Sequence, residues 1–366
     1  AGASATFIAG GARGQTLTPV SCGTAQTITD APIFIADKKK YFQEEGLAVS
    51  MPQFASAANM VVPLGAGQLD VGAGSASAGL YNAVTRGIKI RIVADKSASP
   101  PGYGAMKIIV RKDHVDSGRY KTPKDLKGFR FAMSGPGVSN SSTLNQLLTS
   151  AGLKFDDVTP VSLSFPEHFL ALQNKAVDAG ATSEPILTQA LKAGVAVLLK
   201  GDDEIDPGHQ LAVILYSEGF AAKRDVATRF MRAYLRATRD YNDALVDGRI
   251  SGKGADEVIA TLVQYTDIKD AALHRETVPA AVAGVGRPAQ VAAGLVVTPH
   301  FGEAEGDDDQ LALDDTLARD GIDLVGRNAL GKNRVEVERR ADGLGRIRAI
   351  AGEHDDALDT RLAQPL

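Results

Sequence analysis

Short apolar, strand-like runs alternate with helix-like runs from residue 17 to about residue 265, and this alternation constrains the fold more than any other feature. Successive β-α-β units bury their apolar faces only as sheets covered by helices, so the chain reads as an α/β protein. Residues 17–22 read as a strand. A helix follows, with Thr29, Asp30 and Pro32 suited to its cap and first turn, and Gly46 to its end. Its apolar face carries Ile33, Phe34, Tyr41 and Phe42, and Lys38 to Lys40 form a solvated one. Strands at 47–54, 70–74 and 88–94 enclose a short helix at 59–64 and another at 77–84, completing one lobe.

Residues 97–104 (SASPPGYG) have the composition of a crossover. A second set then begins, with strands at 106–110, 129–133, 158–163, 177–182 and 195–199. Helices at 139–151, 168–176 and 185–193 separate them. A strand at 210–220 and two amphipathic helices, 225–245 and 255–265, return the chain to the first lobe. Phe230, Tyr234 and Tyr241 recur near helical spacing there, as packing residues do. The length of 366 residues suits two domains. The reading divides the chain into residues 15–98 plus 208–280 as lobe 1, 99–207 as lobe 2, and 281–366 as a C-terminal region. That region has one lysine against nine arginines and an acidic run, EAEGDDD. It is either a loosely packed appendage or the product of a reading-frame error.

Composition narrows the function. Charged residues make up 23% of the chain and the net charge is −4, so neither a nucleic-acid nor an anionic-membrane surface is indicated. With no tryptophan and 5% aromatics, a base-stacking platform is also disfavoured. The single cysteine, Cys22, has no partner for an internal disulfide and is expected as a buried, passive thiol. Residues 1–14 are small and apolar and are expected to be the remnant of a secretory signal, with Ala12-Arg13-Gly14 as the cleavage site. The six histidines show no metal-ligand spacing, so neither a metal nor another cofactor is expected. Gly326 to Lys332 (GRNALGK) mimics a phosphate loop but ends in Asn333 where Ser or Thr belongs.

The candidate site is a set of loops at strand ends running into helix starts: residues 23–30, 55–59 and 74–78 in lobe 1, and 134–142 and 183–185 in lobe 2. Most are small, polar and glycine- or serine-bearing, and backbone N–H groups collect at such places. Together they suit the polar end of a solute. Phe165 and Tyr216 fall near the expected cleft edges, where each would either stack on a ring of the solute or pack in the core.

Residues 31–94 resemble the first lobe of the nitrate, sulfonate, taurine and thiamine-precursor class of periplasmic solute-binding proteins. The marks are the Ala31-Pro32 helix start, the Glu45-Gly46-Leu47 turn and the Gly67-Gln68-Leu69-Asp70 step into a glycine-rich strand. In lobe 2, Asp125-Leu126-Lys127-Gly128 and Val177-Asp178-Ala179 before Ser183-Glu184-Pro185 are similar to the class again. The likeness covers residues 17–278, with Pro63 and the C-terminal region as departures. It implies a type II, Venus-flytrap fold with a mainly parallel sheet in each lobe, hinge closure on a ligand, and delivery to an ABC permease. The protein would be a periplasmic monomer with no catalytic residues. The solute would be a sulfonate, a carboxylate or an aromatic or pyrimidine-like compound. Ligand contacts are expected at Thr29, Asp30, Ser56, Asn59, Ser75, Ser77, Ser139, Asn140 and Glu184, with Gln210 on the hinge side. The alternative is an enzyme of the same fold acting on a pyrimidine-like thiamine precursor, with Cys22 as its cysteine candidate.

Overall fold

Two five-stranded sheets organise the computed structural model, which describes residues 16–279 and 282 in full and the backbone of 329–330, 333–339 and 345–350. In chain order the strands are β1 (Thr18–Gly23), β2 (Leu47–Ser50), β3 (Val71–Ser75), β4 (Ile90–Ser99), β5 (Met106–Arg111), β6 (Arg130–Met133), β7 (Thr159–Ser162), β8 (Ala179–Ser183), β9 (Ala196–Gly201) and β10 (His209–Ser217). The first lobe has the order β2-β1-β3-β10-β4 and the second β7-β6-β8-β5-β9. In the first, β1 pairs in parallel with β2 and β3, while β10 runs antiparallel to β3 and β4. The second repeats the plan: β6 is parallel to β7 and β8, and β5 is antiparallel to β8 and β9. Four strands of each sheet therefore point one way, and each sheet is mixed because one strand beside a lobe crossing is reversed.

Both faces of each sheet are covered, as apolar strands require. The helices Ala31–Lys38, Arg224–Asp243 and Ala255–Tyr265 bury Ile35, Phe230, Tyr234 and Leu262 on one face of the first lobe. Phe42 stacks on Phe230 with ring centroids 5.0 Å apart, and burying such a side chain contributes about 1.5–3 kcal/mol. Met60, Leu64 and Leu80 cover the other face. In the second lobe, Leu144, Leu147 and Leu148 of the helix Ser139–Ser150 pack on Phe129 and Phe131. Leu172 and Leu187, from the helices Phe165–Gln173 and Ile186–Lys192, close the opposite face.

Three local departures have clear causes. The helix expected to run to Gly46 breaks after Lys38, because Lys40 takes φ +62°. The break lets Tyr41 donate to Asp240 Oδ2 at 2.6 Å and sends Phe42 into the core. The crossover expected from residue 97 begins later, since pairing with β10 extends β4 to Ser99. Pro63 sits in the first turn of a five-residue helix, Val61–Gly65, where its missing N–H costs little. Cys22 is completely buried in β1. The signal-like residues 1–14 lie outside the described residues, as does the region from 283 onward apart from the short backbone strands.

Two crossings join the lobes, β4 to β5 and β9 to β10, and side chains lace them together. Ser99 Oγ donates to Asp202, Gly102 N to Asp203 Oδ2 at 3.1 Å, and Gly208 N to the carbonyl of Ser99 at 2.9 Å. Desolvation pushes the Asp202 carboxyl up to about 7 against the Ser99 hydrogen bond.

Candidate functional site

The C-terminal ends of β1, β3, β6 and β8 meet between the lobes, the usual place for ligands in open α/β sheets. They border a cavity of about 440 Å³, counting space that opens to solvent. Thr27, Thr29, Ser75 and Lys96 of the first lobe line it, facing Ser134, Ser139, Phe165 and Ser183 of the second. Backbone contacts draw the two walls together. Ser139 N donates to Ser75 Oγ at 2.9 Å, Gly79 N to the carbonyl of Gly137 at 3.0 Å, and Ile28 N to the carbonyl of Glu184 at 3.3 Å.

The loop after β1 is shaped by one carboxylate. Asp30, fully buried, accepts Ala25 N and Thr27 N at Oδ2, each at 3.1 Å. Those bonds hold Gln26 at φ +54°, a left-handed conformation that costs a residue other than glycine of order 1 kcal/mol. Asp30 Oδ1 lies 2.7 Å from Lys96 Nζ, and Lys96 also donates to the Ala73 carbonyl at 3.3 Å. Sequence reasoning missed Lys96, although a lysine amid the apolar residues of β4 was its signal. It places one buried cation in the cleft wall, balanced by Asp30.

The ten candidates separate by position. Thr29, Ser75 and Ser139 line the cavity, with Thr29 Oγ1 2.8 Å from Thr27 Oγ1. Asp30 stands one layer behind, and its carboxylate is spent on Lys96 and the loop. Ser56 donates to Asn59 Oδ1 at 2.7 Å, in an exposed corner at Asn59 but close to Gly135 of the second lobe at Ser56. Ser77 caps the helix Ala78–Thr85 by accepting Leu80 N at 3.3 Å. Asn140 Nδ2 donates to the Ala181 carbonyl at 3.2 Å, from a fully buried position. Glu184 accepts Thr188 N at 3.0 Å, Thr188 Oγ1 at 2.9 Å and Val278 N at 3.2 Å. Burial outweighs those bonds and pushes its carboxyl up to about 7. Gln210 Nε2 donates to Asp95 and, at 3.0 Å, to the Ser97 carbonyl, fastening the start of β10 to β4.

The aromatic pair divides as well. Phe165 borders the cavity, whereas Tyr216 is packed in the first lobe against Phe220 and donates to the Ala227 carbonyl at 3.0 Å. Cys22 cannot act as the cysteine of an enzyme in this geometry. Burial, chiefly, and the neighbouring Asp30 charge raise its thiol far above the usual range, which suppresses the reactive thiolate. Among the described residues no group of three or more His, Cys, Asp or Glu is placed to hold a metal ion.

Solved structures share this architecture. The alkanesulfonate-binding protein SsuA from Xanthomonas axonopodis pv. citri, bound to MOPS, superposes with a TM-score of 0.59 at 20% identity over 74% of this chain and 87% of that one. The periplasmic nitrate-binding protein NrtA from Synechocystis PCC 6803 gives a TM-score of 0.60 at 14% identity, over 71% and 69% of the two chains. These likenesses establish the periplasmic binding protein fold. In sequence, a putative aliphatic sulfonates-binding protein of Escherichia coli K12 is 31% identical over 156 residues, 42% of this chain. That match spans about half of the relative's own length, 46%. The NMT1-like family model matches residues 13–246, nearly two thirds of the sequence and both sheets, and the chain belongs to the NMT1-like family.

Proposed function

We propose that the protein captures a small solute with an acceptor-rich, acidic head between its lobes and hands it to an ABC-type import permease. The observation that carries this reading is the cavity wall: hydroxyls from both lobes, Thr29 and Ser75 opposite Ser134 and Ser139, together with the Lys96 ammonium. A solute touching both walls stabilises the closed arrangement over the open one, which is how a two-lobed receptor signals that it is loaded. The sulfonate and nitrate named for the similar proteins are acceptor-rich anions, and such a head fits donors of this kind. The pairing of Lys96 with Asp30 favours a singly charged head, because the wall carries no surplus of positive charge. The setting would be the periplasm, and the protein would work as a monomer.

A thermal-shift panel of sulfonates, nitrate, carboxylates, aromatic acids and pyrimidines tests the reading. A cognate solute at about 100 times its dissociation constant adds about 2.7 kcal/mol, a rise of several degrees in melting temperature. A cooperative melt that none of these compounds moves would refute the receptor.

A further inference from the structure

We propose that Asp202 is a proton latch at the hinge: with a proton on its carboxyl the lobes stay closed, and with the carboxyl ionised they open. The inference takes from the receptor reading only that the lobes move. Both crossings converge on this residue. Ser99, where β4 ends, donates to Asp202 Oδ2, and Gly102 N in the same crossing donates to Asp203 Oδ2 at 3.1 Å. Gly104 lies so close that a β-carbon on it would stand 2.8 Å from Asp202 Oδ1 and collide with Asp203 as well. The first crossing thus seals two carboxyls that belong to the second, and Asp202 is completely buried beneath it.

The charges under this seal do not balance. Lys107 of β5 stands with the pair, its Nζ 3.6 Å from Asp203 Oδ1. Around them, Glu204 accepts Gly201 N at 3.1 Å and Asp206 accepts Gln146 Nε2 at 3.0 Å. His209, where β10 begins, does not add a cation, because burial lowers its imidazole against the pull of Asp206. The helix Ser139–Ser150, which packs on this turn, carries no charged residue. Also on the elements packed here are Lys200 on β9, Arg111 at the far end of β5 and Tyr103 in the first crossing. The turn at Gly248 meets the Gly102 carbonyl, and its Asp247 and Arg249 are exposed.

Two anions sealed beside one ammonium leave a charge without compensation, so the closed arrangement takes up a proton. Burial chiefly, with the Asp203 charge added, outweighs the Ser99 bond and pushes the Asp202 carboxyl up to about 7. Turning one crossing against the other lifts Gly104 off the carboxyls and admits water. Asp202 then returns toward the ordinary carboxyl value near 4. Opening therefore releases a proton, and rising pH favours it.

The test places spin labels on Asn82→Cys and Asn145→Cys, exposed helix positions on either side of the contact between Gly79 and Gly137. The native Cys22 is buried and stays unlabelled. Pulsed EPR distances on the solute-free protein should show the open-to-closed ratio rising up to about ten-fold per pH unit between about pH 5 and 7, then levelling off. Asp202→Asn, neutral throughout, should hold the closed distance at every pH. Glu184→Gln, which removes the buried carboxyl at the cleft that also sits at about 7, should keep the wild-type slope. Ser99→Ala deletes the bond that favours the ionised form and should move the levelling point to higher pH, a second reading if Asp202→Asn melts early. A slope that survives in Asp202→Asn, or vanishes only in Glu184→Gln, overturns the latch. One distance at every pH overturns it too, and the thermal-shift panel then decides the receptor reading by itself.

Discussion

In each lobe a buried carboxylate, Asp30 in the first and Asp178 in the second, organises the backbone around it, but the two stand at opposite ends of their sheets. In the first lobe Asp30 lies behind the strand ends that meet in the cleft, gathers Ala25 N and Thr27 N, and pairs with a lysine that borders the cavity. In the second, Asp178 lies just before β8, at the end away from the cleft. It accepts Arg130 N at 3.0 Å and Arg130 Nε at 3.1 Å, with His114 Nε2 also at 3.0 Å. Arg130 is exposed on its outer side, and Arg111 divides itself between Asp178 and Asp113. The same device therefore has two consequences. Beside the cleft Lys96 lies against the fully buried Asp30, so the pair behaves as a unit. At the far end the charges form a shared network that tolerates losses.

Asp30→Asn tests this contrast most severely. It leaves Lys96 buried without its anion and should cost about 3–5 kcal/mol of stability, read from denaturant unfolding. Asp30→Asn combined with Lys96→Met should recover most of that loss, because neither charge then remains buried. A double variant no more stable than the single one would show that the loop bonds, rather than the charge pair, carry the cost. The double variant should also bind an acidic solute more weakly than the wild type.

Asp178→Asn should cost less, about 1.5–3 kcal/mol, since hydrogen bonds to a charged acceptor are lost while Arg111 keeps Asp113. The pH dependence tests this site through the difference between the two proteins. Burial works to raise the Asp178 carboxyl, but the bonds from Arg130 and His114 outweigh it and hold the group at about 2. A depressed carboxyl contributes stability that is fully present above its unfolded value near 4 and is lost as pH falls toward 2. The wild type should therefore lose stability across that window, and Asp178→Asn should lose less there. Equal slopes for the two proteins would remove Asp178 from the account.

The smallest effect belongs to the seam between the lobes. Ser75→Ala deletes the acceptor for Ser139 N and should weaken solute binding by about 2- to 10-fold, with little change in the melting temperature of the empty protein. A large drop in the empty protein's stability would instead make the seam part of the resting structure.

The layered α/β plan was readable because it depends on periodicity. The helices Arg224–Asp243 and Ala255–Tyr265 fall within two residues of the spans read from apolar spacing, and the ten strands follow the expected order. What periodicity could not give was strand direction. β5 and β10, each the first strand after a crossing between lobes, are the reversed ones, a property of the whole path rather than of any local run. The site was less legible for the same reason. Loops rich in serine marked the cleft walls, yet Asp30 and Glu184 look like ligand contacts in a string of letters. Only their partners, Lys96 at 66 positions' remove and Val278 at 94, assign the carboxylates to the protein's interior. Lys96 escaped attention because it sits in a strand rather than a loop.

The contact between Gly79 and Gly137 bears on how far the lobes can travel. A β-carbon built on Gly79 would stand 3.0 Å from the Gly137 carbonyl oxygen, and Gly137 itself, at φ +64°, is bent in a way that favours glycine. The two backbones meet because neither carries a side chain at that point. The depth of the bite is thus calibrated by two missing methyl groups, and a single added carbon would act as a wedge under a door, leaving both leaves intact while denying them the last fraction of their swing.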